Sequence, residues 1–185
     1  DDAFSDAREF MCSADLPDFI GRHRLGRAAG AHGGMNGSHC NPRVIFGTAT
    51  TKDHIYNTPR AWYMHRYLNL ADAEGHTPES DDIPWCVEPG NAVTIEDVDF
   101  LLGSHFEGTP YDPYGTQGTP ESRHRYRPIG INRTGHMVAM QIRPYAPAES
   151  RSIMWISYGS GAFTTAAPFY ANVDDTPAYL RDATP

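Results

Sequence analysis

Lysine is nearly missing from this 185-residue chain: Lys52 stands alone against fourteen arginines. That imbalance reads as a bias toward GC-rich codons, although buried or bidentate arginines would give the same count. Cysteine is scarce too. Cys12, Cys40 and Cys86 are odd in number, widely spaced and in no CxxC pair. The chain is too large to need disulfide staples, so the expectation is reduced thiols, a cytoplasmic setting and no structural zinc. No apolar run approaches the roughly 20 residues of a membrane helix. The start, DDAFSDAREF, has neither the basic region nor the apolar core of a signal peptide. Positive charge is in deficit, 15 Lys and Arg against 23 Asp and Glu, for a net charge of −8. That balance argues against non-specific nucleic-acid binding and against an anionic membrane surface. GxSxG, GxxxxGK[ST] and HExxH are all absent, which removes the signatures of a nucleophile elbow, a phosphate loop and a helical zinc site.

Glycine and proline are abundant, at 17 and 15 residues, above a background of about 12%, and predict much ordered loop. With 39% hydrophobic and 11% aromatic residues, the chain can bury one core of ordinary domain size.

Ser13 reads as the cap of a short helix carrying Leu16, Phe19, Ile20 and His23 on one face. Residues 28–42 read as loop and 44–46 as a short strand. In YNTPRAWYMHRYLNL, Thr58 is placed to cap a helix that starts at Pro59, with Trp62, Tyr63, Tyr67 and Leu70 toward the core. Thr94 and Asp97 form a capping-box pattern ahead of the stripe Ile95, Val98, Leu101 and Leu102. About twenty residues without periodicity follow, a length that is usually functional or disordered. Residues 129–132 and 136–143 read as a hairpin around Arg133, Thr134 and Gly135; 153–158 and 169–173 read as further strands. Helices first and strands later predict an α+β fold with an antiparallel sheet. The expected organisation is one partial domain: a helical part over about 1–106, a long loop over 107–128 and a β-rich part over 129–175.

Spacing alone assembles no catalytic constellation. His32, His39 and Cys40 share a loop, and His124 lies within RHRYR, but neither group has metal-ligand spacing. No metal and no cofactor is expected. Arg123, His124, Arg125 and Arg127 could grip phosphate or carboxylate, or be a solvated loop paired with local carboxylates. Glu107 and Asp112 flank Tyr111 and could bind an amine or serve as turn residues.

Three blocks are more specific: YNTPRAWYMHRYLN, TIEDVDFLLGSHFEGTPYD, and RPIGINRTGHMVAMQIRP through IMWISYGSGAFTTAAPFYANVDDTPAYL. Over residues 41–181 they resemble the central part of the N-terminal-nucleophile cysteine dipeptidases of the dipeptidase A type. The resemblance implies a portion of a four-layer αββα sandwich and a parent that hydrolyses dipeptides of broad composition. It also implies a cysteine exposed at the mature N-terminus by autocatalytic trimming, with its α-amine as base. This chain begins with Asp1, so the expectation is a nucleophile outside it and an isolated chain that is inactive. By position, Arg60 is the candidate for an arginine near the thiol, with Asn57 as its neighbour; His105, Glu107 and Asp112 are candidates to shape the pocket. Arg143 is read as a surface or ion-pairing residue. An exposed apolar face, or self-association that buries it, is expected if part of the sandwich lies elsewhere. Two alternatives stay open: a free-standing non-catalytic binding or assembly module, and a metal-binding domain using the histidine-rich loop.

Overall fold

Helices occupy the first part of the chain and strands the last, giving an α+β architecture with an antiparallel sheet. The computed structural model describes residues 13–25, 35–36, 39–40, 45–84 and 86–181. Helix α1 spans Leu16–His23 and buries Ile20 against Ile45. Met35–Asn36 pairs antiparallel with His39–Cys40, as β1 and β2. The short α2 (Asp53–Tyr56) leads into α3 (Thr58–Leu68) and α4 (Leu70–Ala73). Helix α5 (Ile95–Gly103) follows, then a single turn, α6 (Pro120–Arg123). Strands β3 (His136–Ile142), β4 (Ser152–Tyr158) and β5 (Ala167–Tyr170) make a sheet in sequential order, and α7 (Ala178–Arg181) ends the described chain.

The core is aromatic. Trp62 and Tyr63 of α3 meet Ile83, Leu101, Phe106 and Tyr126. Phe106 is fully buried and stands edge-on to Tyr63 at 5.6 Å between ring centroids. Tyr111 links Trp62, at 6.0 Å, to Tyr126, at 4.9 Å. Edge-to-face contacts of this kind add roughly 0.5–1.5 kcal/mol to simple burial.

Helix α5 docks on the sheet through glycine. A Cβ on Gly103 would lie 2.9 Å from the Gly161 carbonyl, and one on Gly130 would overlap the Gly103 carbonyl itself. The backbones at the helix end, at residue 130 and ahead of β5 therefore meet directly. The register Met137↔Ser157, Ala139↔Trp155 and Gln141↔Ile153 turns those side chains toward the helix. The opposite face carries Val138, Met140, Ile142, Met154 and Tyr158, all exposed, with Met140 at 84%. A broad apolar cleft of about 800 Å³ runs over this second face.

Several expectations are corrected. Asp15, not Ser13, precedes α1 as its cap residue. Ile45 and Phe46 are helical rather than strand, because Ile45 turns inward onto Ile20. Thr58 is the first residue of α3, and Asn57 precedes it without a side-chain cap bond. Tyr67 and Leu70 are exposed; Tyr67 uses its amphipathic ring to stack on Phe100 and to donate to Asp97 at 2.7 Å. Residues 129–132 form no strand. The turn there is real, with the Thr134 amide on the Ile131 carbonyl, but β3 pairs with β4 instead. The last strand starts two residues earlier than expected, at Ala167. The box at Thr94 and Asp97 forms in full, at 2.8 and 3.2 Å. Cys12 and His32 lie outside the described residues.

Candidate functional site

The Thr-x-x-Asp pattern at Thr50 folds the chain ahead of α3 around one carboxylate. The Thr50 amide reaches Asp53 Oδ2 at 2.9 Å, and the Asp53 amide reaches Thr50 Oγ1 at 3.3 Å. Thr48 and Thr50 donate their hydroxyls to Asp53 Oδ2 at 2.6 Å each, and Asn57 Nδ2 donates to Oδ1 at 2.7 Å. These donors, the Thr48 hydroxyl foremost, hold the Asp53 carboxyl far below the usual carboxylate range. Asn57, its amide oriented by Asp53, accepts from Arg60 Nη2 at 2.9 Å.

Thr48, Asp53, Asn57, Thr58, Ala61 and His65 line one side of a cleft of about 530 Å³; Phe46, Ile83 and Pro84 add its apolar wall. A volume of that order suits a small ligand. Asn57 and Arg60 are thus brought together, and Asn57 faces the cleft. Asp53, Thr48 and Thr50 escaped the sequence reading, although the Thr50 to Asp53 spacing matches a capping box.

His105, Glu107 and Asp112 form a second group. His105 Nδ1 lies 2.7 Å from Asp112 Oδ1, and Nε2 lies 3.1 Å from Glu107 Oε1. Glu107 Oε2 accepts from Ser104 Oγ at 2.6 Å, the His105 amide at 3.1 Å and the Tyr63 hydroxyl at 3.3 Å. The Tyr114 amide donates to Asp112 Oδ1 at 2.9 Å. Burial, aided by the Glu107 charge, pushes the Tyr63 phenol up to about 12, so it stays a donor. Phe106, between His105 and Glu107, sits at φ 73°. That left-handed geometry costs about 1–2 kcal/mol, offset by its complete burial. The group braces a tight turn and spends its acceptors on its own neighbours. No hydrogen bond or ion pair among the described residues joins it to Asn57 or Arg60. No cluster of three metal ligands is found among the described residues.

The basic stretch separates residue by residue. Arg125 pairs with Glu79 at 2.6 Å, and Arg123 donates to the Gly115 carbonyl at 3.0 Å. Arg127 does neither; it stacks on Tyr56 at 5.4 Å, and its buried Nε has no acceptor. Arg143 is half-buried and donates to the Ser150 carbonyl. Cys86 is exposed and free. No helix among the described residues is long and apolar enough to cross a membrane.

The family model described as Peptidase family C69 matches residues 2–185. The chain is similar to a dipeptidase of Bifidobacterium longum (strain NCC 2705), 50% identical over 190 residues, covering 100% of this chain and 35% of that protein. It is 43% identical over 179 residues to a probable dipeptidase A of Streptococcus pyogenes serotype M18 (strain MGAS8232), covering 97% and 36%. Dipeptidase A of Lactobacillus helveticus is 40% identical over 174 residues, covering 94% and 35%. The chain spans about a third of the length of these curated relatives.

Proposed function

The chain belongs to peptidase family C69, and from that premise we propose that its parent is a cysteine-type dipeptidase of which these 185 residues form a non-catalytic part. The observation that carries the reading is identity of 50% along the whole chain to a protein named dipeptidase. In this proposal the nucleophilic cysteine comes from parent sequence outside the 185 residues. Its thiolate attacks the peptide carbonyl while its α-amine, which titrates near neutrality, takes and returns the proton. Asn57 and Arg60 supply donors at the cleft for the substrate and for the oxyanion that develops on the carbonyl. The Asp53 hub supports that role, because it orients the Asn57 amide before any substrate arrives. His105, Glu107 and Asp112 shape the pocket from behind by fixing the turn against α3.

The exposed sheet face supports the αββα reading. A strand row with Met140 at 84% and Ile142 at 73% exposure is the inner face of a sandwich that lacks its second sheet. Remaining parent sequence would supply that sheet.

The test is hydrolysis of Ala-Ala by the full-length parent and by the 185-residue chain, each with and without iodoacetamide. The parent is expected to turn over and to lose activity on alkylation, and the isolated chain to do nothing. Turnover by the isolated chain, or a parent indifferent to alkylation, would overturn the proposal.

A further inference from the structure

Arg60 and Arg127 are 67 positions apart, yet the fold sets their guanidinium groups beside each other. Neither has a carboxylate partner among the described residues. Arg60 has one hydrogen bond, to the Asn57 amide oxygen at 2.9 Å. Arg127 leaves its Nε buried without an acceptor, held only by stacking on Tyr56 and by its backbone amide on the Ile55 carbonyl at 3.0 Å. Burial and the Arg127 charge together lower the Arg60 pKa. Two desolvated like charges and an orphaned donor oppose folding, and such groups persist where a ligand completes them.

We propose that Arg60 and Arg127 form a clamp for a carboxylate, and that its ligand is the C-terminal carboxylate of the substrate dipeptide. Guanidinium forks match a carboxylate in shape and charge, and one anion between them satisfies the buried Nε and removes the repulsion. Asn57 ties the clamp to the cleft, whose wall it forms. The choice of ligand rests on the dipeptidase reading. It also deepens that reading, because a clamp at a fixed distance from the scissile bond admits one residue beyond it and excludes longer peptides.

The test uses the full-length parent, titrated calorimetrically with N-acetylglycine and with N-acetylglycinamide, which differ only in the carboxylate. The acid is expected to bind at least about 10-fold more tightly than the amide, the scale of a charge-assisted hydrogen bond. Arg127→Gln and Arg60→Gln should each abolish that preference. Arg127→Lys keeps the charge but not the fork, and should retain only part of the preference, which covers the case of a Gln variant that does not fold. Equal affinity for acid and amide overturns the clamp, as does a preference untouched by both Arg127 variants. So does failure of the acid to bind because a parent carboxylate already fills the site. Activity separates the two claims. A parent inert toward Ala-Ala that keeps an Arg127-dependent acid preference sinks the dipeptidase and upholds the clamp. One that cleaves Ala-Ala and Ala-Ala amide with equal kcat/KM upholds the dipeptidase and sinks the clamp.

Discussion

Two charged groups meet helix α3, and they differ in how fully their hydrogen-bonding capacity is used. The His105 group is saturated: both imidazole nitrogens face carboxylates, and Glu107 and Asp112 collect amides and hydroxyls besides. The Arg60 and Arg127 pair is left short, with a single side-chain acceptor between them and one buried donor unmet. A buried network closed on itself stabilises its own turn. One left open destabilises the empty protein and is completed by something that arrives.

The difference makes opposite forecasts for loss of a side chain. Asp112→Ala strips His105 Nδ1 and the Tyr114 amide of their acceptor in a site where Asp112 is buried. It should cost about 3 kcal/mol, as breaking a buried charged pair does, measured by urea unfolding of the parent. A loss below about 1 kcal/mol would mean that the group is not a brace. Arg127→Met retains stem volume and removes an unpaired charge, a change that is often neutral or stabilising. The expected stability lies within about 1 kcal/mol of the wild type, since stacking on Tyr56 is all that is lost. A loss as large as that of Asp112→Ala would erase the contrast and assign Arg127 to the scaffold.

How much could be read beforehand follows from the range of each interaction. The box at Thr94 and Asp97 and the helix behind it are local, and the spacing of four residues specifies them. The hairpin failed because Arg133, Thr134 and Gly135 do make a turn, while the strand that completes β3 lies beyond the 143–151 connection. Tyr67 and Leu70 kept helical periodicity but not burial, since a ring with a hydroxyl satisfies itself at the surface. Residues His105, Glu107 and Asp112 entered through a family-like loop, and within eight positions a turn can gather them. Asn57 and Arg60 are one helical turn apart. Arg127 joins them only through tertiary structure; in the sequence it was indistinguishable from Arg123 and Arg125, which the fold pairs elsewhere.

The account depends most on where the nucleophile comes from. Intact mass and N-terminal sequencing of the mature parent, purified from its native cells, address that directly. A product well above 20.5 kDa that begins with cysteine is the predicted result. A mature product of 20.5 kDa beginning at Asp1 would contradict it, leaving a module with the fold and without the chemistry.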